Sequence, residues 1–350
     1  MTTPTATVAV VGAGAMGVGL ACHLARNGVP VSLLATDHDG AVVEAWRNRA
    51  PHPALQLPFH DLPLYPRDRW GELLPGAGIV LVAVTSAGLA SVLTDAGPGS
   101  SPEAVWALAT KGWESGSLRT PSEVAADVLG PDAHVVSIGG PGLAAELAVG
   151  APTGLICASR EATSRRRVAA LLTSATLKAF TTSDVAGLET AAAFKNVVAV
   201  AVGLAAGLAE RLADSALVRS FGNAQAAVFA AGLMDMHRLV RACGGRTVTV
   251  LGIGGAGDLF LTCQHGRNGR FGRLIGAGAG VDSALRSIGS SVEGVANTRV
   301  ALELAARHGI DLPSARIVDH ALRQDAGGEE AVERLRGVFI EALSGPTPGR

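Results

Sequence analysis

The sequence predicts an α/β fold: a sheet-based N-terminal domain, residues 1–185, followed by an all-helical C-terminal domain, residues 186–345. Two observations support this prediction. In the first half, short apolar runs alternate with helix-compatible stretches, which is typical of βαβ units and a mostly parallel sheet. After about Asp184 the segments become long and rich in Ala and Leu, with glycine clusters between them. This change of pattern places the predicted boundary near residues 180–190.

The first half opens with a strand, a glycine turn, a helix and a second strand. Thr7–Val11 is rich in β-branched residues, 18–27 has a helical pattern, and Val31–Leu34 is the next apolar run. Further strands are predicted at 79–84, 105–109, 135–138 and 154–158, with a proline-rich surface loop at 51–66. Helices are predicted at 188–212, 223–243, 259–264 and 292–308, and a short β-like stretch lies at 247–253.

Composition narrows the class of protein. The 350 residues are 48% hydrophobic and 17% charged, which is typical of a globular enzyme. A formal net charge of −1 offers no overall attraction to nucleic acid or to an anionic membrane. The longest uncharged run, 73–94, is densely apolar only at its centre, so it predicts a buried strand with its loops and not a membrane span.

The cysteines and the N-terminus indicate the compartment. The four cysteines are far apart and form no CxxC pair, so we expect small buried hydrophobic side chains in a reducing environment, without a metal site. The N-terminus has no basic segment followed by an apolar run and a cleavage site. The sequence therefore predicts a cytoplasmic protein.

Residues 12–17, GAGAMG, match the pattern GxGxxG. They follow a predicted strand and open a predicted helix, which is the context of a dinucleotide-binding turn. Gly12 permits the tight turn, Gly14 lets the backbone approach a pyrophosphate, and Gly17 lets helix and strand pack closely. The first domain is therefore predicted to be a Rossmann-type dinucleotide-binding domain. The alternative is a glycine-rich turn without a ligand.

Asp37 bears on the choice of cofactor. It lies 20 residues after Gly17, where a carboxylate can accept hydrogen bonds from a ribose 2′-hydroxyl. No Arg or Lys lies between Pro30 and Trp46 to hold a 2′-phosphate. The cofactor is thus expected to be NAD or NADP, with NAD favoured. Alternatively, Asp37 is simply solvated.

Lys111 and the GGPG run at 139–142 each follow a predicted strand. Both therefore lie at the carboxyl edge of the predicted sheet, where ligands bind in such folds. The glycine-rich backbone at 139–142 can approach a substrate or a nicotinamide closely. Lys111 taken alone is more simply interpreted as a surface lysine.

Lys195 and Asn196 interrupt a long apolar helical segment. Burial of a lysine is costly unless a partner compensates, and it lowers the lysine pKa, which makes the group a competent proton donor near neutral pH. The alternative is a snorkelling lysine that covers apolar surface. Asp258 follows a glycine cluster at 252–257 as a first-turn acid of a helix, with Thr262 four residues later on the same face. Arg267, in a polar loop, is the best anion-binding candidate.

These segments together resemble the NAD(P)-dependent glycerol-3-phosphate dehydrogenase family. The motifs, in the family's order and spacing over residues 8–310, are GAGAMG, TKGWE, GGPGLAAE, FKNVVAVAVGL, GGAGDLFLTC, GRNGRFG and VEGVANT. The resemblance implies hydride transfer between a nicotinamide and a ketone or secondary alcohol, most simply dihydroxyacetone phosphate and sn-glycerol 3-phosphate. A phosphorylated small-molecule substrate is implied, and no nucleic acid or membrane insertion is expected. The apolar helical domain makes a homodimer plausible.

The resemblance also implies roles for single residues. Lys195 would donate and accept the proton at the substrate oxygen, and Asn196, Asp258 and Thr262 would position the substrate and the lysine. The implied substrate contacts are Lys111, Gly140, Gly142, Gly266, Arg267 and Asn268. The implied cofactor contacts beyond the glycine turn are Ala15, Met16, Lys111, Ala144, Arg267 and Glu293.

Three departures from the family pattern leave the substrate open. Gly142 and Gly266 stand where the family has hydroxyl side chains, and the segment 210–222 is longer and more irregular than the family's glycine-rich link. Lost hydroxyls are expected to open space and remove donors, which can change the substrate. The alternative substrate is a different polyol, sugar-like or amino-cyclitol alcohol or ketone. A sensor of the NADH/NAD ratio is a further alternative, but it would need none of Lys111, Lys195 and Asp258.

Overall fold

A computed structural model describes residues 7–114, 116–212, 222–289 and 291–323 of the chain. The chain forms two compact units, Met1–Val185 and Ala186–Arg350. Most of the irregular segment 210–222, and the end predicted for the helical domain at residue 345, lie outside the described residues.

The first unit is built on one eight-stranded sheet. Its strands are β1 (Thr7–Val11), β2 (Val31–Leu34), β3 (Leu64–Tyr65), β4 (Ala77–Val82), β5 (Val105–Leu108), β6 (His134–Gly139), β7 (Thr153–Ala158) and β8 (Leu177–Thr182). Their order is β3-β2-β1-β4-β5-β6-β7-β8, and all neighbours are parallel except β6 and β7. The predicted mostly parallel sheet is confirmed. Because β1 lies between β2 and β4, the strand order reverses there, at the position where open α/β sheets bind ligands.

Helices cover both faces of this sheet. They are α1 (Ala15–Arg26), α2 (Gly40–Arg47), α3 (Trp70–Leu73), α4 (Ser86–Ala96), α5 (Pro121–Leu129), α6 (Ala144–Val149) and α7 (Ala162–Leu172). Successive side chains of a strand point to opposite faces. Val10 of β1 accordingly packs in one core with Leu24 of α1, whereas Val11 packs in a second core with Leu93 of α4.

Two strands differ from the sequence expectation. β3 lies inside the segment 51–66 that the sequence assigns to a loop, because it is only two residues long and stands between Pro63 and Pro66. β8 is not predicted at all. It is an edge strand in which buried Leu177 and Ala179 alternate with exposed residues, so it lacks the continuous apolar run that marks the central strands.

The second unit is helical over its described residues. Its helices are α8 (Val185–Leu212), α9 (Gly222–Ala242), α10 (Thr247–Leu251), α11 (Asp258–His265), α12 (Arg267–Gly276), α13 (Val281–Ile288), α14 (Glu293–His308) and α15 (Pro313–Arg323). The predicted helices correspond to α8, α9, α11 and α14. By length and composition α8 could cross a membrane, but 94% of its apolar window is buried inside the protein, which identifies a core helix.

Glycines let α8 and α12 approach at backbone distance. A Cβ at Gly203 or Gly207 of α8 would lie 2.2 or 2.0 Å from a carbonyl oxygen of α12. The reverse holds for Gly272 and Gly276 of α12, whose Cβ atoms would lie 2.1 and 2.2 Å from carbonyl oxygens of α8. The seam is therefore closed to any larger residue.

The β-like stretch 247–253 proves helical. Its first part forms α10, in which Val250 is buried while Val248 and Leu251 point outward. A π-helical turn, Ile253–Gly257, then leads into α11. The alternation of β-branched residues was a misleading signal here, because tertiary packing overrides an intrinsic preference this small.

Candidate active site

The glycine turn of the first unit fits the phosphates of a dinucleotide. Gly12 has φ +99°, and a Cβ there would lie 2.8 Å from the carbonyl oxygen of Ala83. A Cβ on Gly17 would lie 1.9 Å from the carbonyl oxygen of Gly12, so both positions require glycine. A Cβ on Gly14 would meet nothing within 4 Å, and no side chain caps α1, which begins at Ala15. Open space and uncapped N–H groups thus coincide where a pyrophosphate would bind.

The turn is held from both sides by residues that the sequence did not single out. Asp39 Oδ2 accepts hydrogen bonds from the Ala13 N–H at 3.0 Å, the Thr36 N–H at 2.8 Å and the Thr36 hydroxyl at 2.7 Å. His52 Nδ1 accepts from two backbone N–H groups, at positions 54 and 55, so its Nε2 is the nitrogen that donates to the Ala13 carbonyl at 3.1 Å. The backbone of Ala13 is therefore fixed both at its N–H and at its carbonyl oxygen.

A cleft of about 510 Å³ lies beside the turn and is lined by Gly12, Gly14 and Asp37. Asp37 thus lies beside the turn, and its binding of a ribose stays a prediction. It does not stand alone there, because Arg67, just after β3, forms ion pairs with both Asp37 and Asp95. No Arg or Lys lies between positions 30 and 46 of the chain. The sheet brings Arg67 to the cleft from 30 residues further along.

Lys111 lies at the carboxyl edge of the sheet, as predicted. Its Nζ donates to the Gly140 carbonyl at 3.2 Å, and both residues line a small cavity together with Met16 and Gly142. Ala144 begins α6 and packs against α1 so closely that a Cβ on Gly19 would lie 2.6 Å from its carbonyl oxygen. The first unit therefore brings Lys111, the GGPG run and the start of α1 together.

The second unit contains a buried ion pair. Lys195 Nζ donates to Asp258 Oδ1 at 2.5 Å, and the two side chains are only 7% and 2% exposed. Asp258 opens α11 directly after the π-helical turn, a distortion frequent at functional sites. Lys195 is thus buried with a partner and does not snorkel. The Thr262 hydroxyl donates to the Asp258 carbonyl at 2.7 Å, so it braces the turn that carries the acid.

A second polar network joins three helices of the same unit. Asn196 Nδ2 donates to Glu293 Oε2 at 2.8 Å, and Asn268 Nδ2 donates to Asn196 Oδ1 at 2.9 Å. Asn268 Oδ1 accepts the N–H of Gly294 at 2.9 Å, in the first turn of α14. The Asn268 side chain is therefore buried and committed to this network, whereas its neighbour Arg267 is exposed at the start of α12.

The two glycines that replace hydroxyl residues have different surroundings. A Cβ on Gly142 would lie 3.2 Å from a terminal methyl group of Leu155, a flexible neighbour. A Cβ on Gly266 would lie 2.3 Å from the carbonyl oxygen of Thr262, which is backbone. The expectation that the loss of a side chain at Gly266 opens space is therefore wrong, because the carbonyl oxygen of Thr262, which accepts the Gly266 N–H at 2.9 Å, already occupies it.

Three residues of these sites escaped the sequence reasoning: Asp39, His52 and Arg67. Asp39 is two positions from the acid that the spacing favours, and His52 lies in the predicted proline-rich loop. The DxD pattern of Asp37 and Asp39 after β2 was a usable signal. For His52 and Arg67 the contacts arise only when the sheet forms.

Comparison with known proteins gives a consistent result. The profile described as NAD-dependent glycerol-3-phosphate dehydrogenase N-terminus matches residues 7–165, and the corresponding C-terminus profile matches residues 184–333. A glycerol-3-phosphate dehydrogenase [NAD(P)+] of Edwardsiella ictaluri is 37% identical over 343 residues, 96% of this chain and 97% of that protein. One of Sodalis glossinidius is 36% identical over 95% of this chain and 96% of that protein.

A solved structure supports the same assignment. The crystal structure of glycerol-3-phosphate dehydrogenase from Coxiella burnetii is 31% identical, with a TM-score of 0.81 over 95% of this chain and 99% of that one. A ketopantoate reductase from Ralstonia eutropha, 17% identical with a TM-score of 0.56 over 96% of this chain and 99% of that one, shares the fold alone. The chain belongs to the NAD-dependent glycerol-3-phosphate dehydrogenase family.

Proposed function

We propose that the chain interconverts sn-glycerol 3-phosphate and dihydroxyacetone phosphate with NAD(H) or NADP(H). As a member of its family it is an oxidoreductase that acts on a CH–OH group. The observation that carries the proposal is the buried pair of Lys195 and Asp258, a proton donor held by an acid inside an apolar unit. The first unit would bind the dinucleotide, and the second would supply the proton and hold the substrate.

Each residue then has a chemical task. The bound nicotinamide would supply or accept the hydride at the substrate carbon. In the direction of reduction, the Lys195 ammonium donates its proton to the carbonyl oxygen as that oxygen gains charge. Asp258 holds the ammonium in place beforehand, and solvent returns the proton afterwards. Lys111 and Arg267 are the cations proposed to contact the anionic substrate.

The test is consumption of NADH and NADPH with dihydroxyacetone phosphate, and the reverse reaction with sn-glycerol 3-phosphate. A kcat/KM on the order of 10⁴ M⁻¹s⁻¹ or better would support the proposal. The chain has only three lysines, so Lys178, exposed on β8, is a matched control for the others. Lys195→Met and Lys111→Met should abolish or cripple turnover, and Lys178→Met should leave it unchanged. If the wild-type protein turns over neither dihydroxyacetone phosphate nor sn-glycerol 3-phosphate, the proposed substrate is wrong.

Gly142 favours a second candidate substrate. The lost hydroxyl at this position borders the cavity beside Lys111, and a new Cβ would meet only the ends of the Leu155 and Leu147 side chains. The candidate is the same chemistry on another polyol, sugar-like or amino-cyclitol alcohol or ketone. A substrate panel measured on the wild type and on Gly142→Ser separates the two. If the serine variant gains activity with dihydroxyacetone phosphate and loses it with the alternative, the glycine sets the specificity.

We also propose a cytoplasmic homodimer. The four cysteines are free thiols, which suits a reducing compartment. The long apolar helix α8 is buried inside the protein, so we do not propose that it enters a membrane. Cell fractionation tests the location, and light scattering after size-exclusion chromatography tests whether the mass is twice the 35.3 kDa of one chain.

A further inference from the structure

Arg67, Asp37 and Asp95 form an ion-paired group in the cleft beside the glycine turn, hereafter the cleft trio. Arg67 Nη1 pairs with Asp37, and Nη2 pairs with Asp95. The exposed fractions of the three side chains are 41%, 67% and 30%, so a ligand can reach each of them. The inference drawn from this trio rests on the proposed use of a nicotinamide dinucleotide.

The topology explains why the trio lies at this place. β3 runs parallel to β2, so the chain leaves both strands at the same edge of the sheet. Asp37 follows β2 and Arg67 follows β3. Asp95 comes from α4, near its C-terminal end, and lines the same cleft as Gly12 and Gly14. In sheets of this kind that edge, beyond β2, is where the ribose of the adenosine half is read.

The charges of the cleft disfavour a phosphate on that ribose. Among the described residues that line it, Arg67 is the sole Arg or Lys, and three carboxylates belong to Asp37, Asp39 and Asp95. One guanidinium against three carboxylates, with His38 counted as neutral, leaves a formal charge of −2. A 2′-phosphate would add a further charge of about −2. A 2′-hydroxyl is neutral and can donate a hydrogen bond to the exposed carboxylate of Asp37.

We propose that the cleft trio makes this protein prefer NAD(H) to NADP(H), and that Asp95 sets the preference. Asp95 lies on α4, and its role is to hold one arm of Arg67 while Asp37 holds the other. A guanidinium whose two Nη atoms each pair with a carboxylate has its charge balanced and only its remaining N–H groups left for a phosphate. Asp95 is thus a positioning residue that acts through Arg67.

The test is equilibrium binding of NADH and NADPH, measured without substrate by tryptophan fluorescence, since Trp70 lines the cleft. The wild type should bind NADH more tightly. Asp95→Asn keeps the shape of the side chain and removes its charge, so NADPH should gain at least about fivefold relative to NADH. Arg67→Ala should weaken NADPH binding relative to the wild type. In a double-mutant cycle, the gain in NADPH binding from Asp95→Asn should vanish when Arg67 is also replaced.

Arg69→Ala is the matched control. Arg69 lies on the same short turn and pairs with Glu72, away from the cleft lining, so its replacement should leave both dissociation constants unchanged. Thermal melting of each variant shows whether it is folded. The inference would be overturned, and the proposed function left standing, if the wild type bound NADPH as tightly as NADH. The same holds if Asp95→Asn left the ratio of the two dissociation constants unchanged. A folded wild type that binds neither nucleotide would overturn the proposed function with it.

Discussion

Lys195 and Asp258 form a buried ion pair that contributes little to stability and is proposed to act in proton transfer. Each is a charged group almost without solvent, and a buried charge is tolerated only beside a partner. The pair stabilises the fold less than apolar residues of the same volume would, because both charges have lost their hydration. We therefore propose that the pair serves proton transfer and not stability.

Breaking this pair should separate the two roles. Lys195→Met should leave the buried Asp258 carboxylate without the compensating charge of Lys195, and it should cost about 3–5 kcal/mol of unfolding free energy together with most of the turnover. The double variant Lys195→Met/Asp258→Leu should recover much of that stability and none of the activity. Urea unfolding and kcat measured on the same preparations test this. Recovery of activity in the double variant would contradict the role given to Lys195.

Two cysteines should be inert in the folded protein. Burial raises the pKa of Cys157 and of Cys263 to about 12, and for Cys263 the nearby Lys195 offsets only part of that effect. Because the thiolate is the nucleophile, roughly one thiol in 10⁴ is reactive at pH 8. Iodoacetamide at that pH should leave both unlabelled in the native protein and label them after unfolding, as mass spectrometry would show. Cys157 is buried and Cys263 half-buried, so rapid native labelling of Cys157 would contradict its burial, and rapid labelling of Cys263 would contradict its raised pKa.

At this scale the sequence predicts the residues of motifs and misses those that tertiary contacts recruit. GAGAMG and Asp37 follow from the strand–turn–helix context, because local geometry dictates the glycines. Arg67 could not be found in this way, since the pairing of β3 with β2 brings it beside Asp37 from 30 positions away. Gly266 was misjudged because a missing side chain in a sequence does not reveal whether backbone fills the space.

At the scale of elements, the glycine seam between α8 and α12 sets the position of the polar network. Asn196 lies in α8 and Asn268 in α12, and their side chains meet at 2.9 Å because the helices touch at backbone distance. Helix packing at ordinary distance, 8–10 Å between axes, depends on larger side chains at the contact. The glycines therefore act on the site through geometry.

Gly207→Ala should disturb this seam. Its Cβ would lie 2.0 Å from the carbonyl oxygen of Arg273, so the helices must move apart, at a cost of about 1–3 kcal/mol or more. Gly71→Ala is the control, because a Cβ there would meet nothing within 4 Å; it should be neutral or slightly stabilising. Chemical denaturation of both variants tests the difference. Equal stabilities would show that the seam can relax.

Long, strongly patterned elements are the ones that the sequence predicts. The central strands are continuous apolar runs because both faces are covered, and α8 is apolar all round because it is buried all round. α10 was misread, since Val248 and Leu251 are 70% and 67% exposed and its β-branched residues reflect no sheet. A five-residue element carries too few positions for its period to be read.

At the scale of the whole molecule, one buried acid connects distant parts of the second unit. Asp235 of α9 accepts the Ser314 N–H at 2.7 Å and the Ser314 hydroxyl at 2.6 Å, and thereby holds the start of α15. Arg238 donates to its other oxygen at 2.7 Å. These contacts favour the carboxylate, but burial outweighs them and raises the pKa of Asp235 above its ordinary value.

This raised pKa predicts how the stability of the protein depends on pH. Between the ordinary pKa and the raised one, the native state binds more protons at Asp235 than the unfolded state does. The contribution of this group to the unfolding free energy therefore falls as pH rises through that window and is most unfavourable above it. Asp235→Asn removes this titration. The unfolding free energy of the variant should therefore increase relative to that of the wild type as pH rises from about 4 to about 7. Asp311→Asn, at an exposed ion pair, should run parallel to the wild type. Urea unfolding across this range tests the prediction, and an Asp235→Asn curve parallel to the wild type would show that the burial of Asp235 does not govern its protonation.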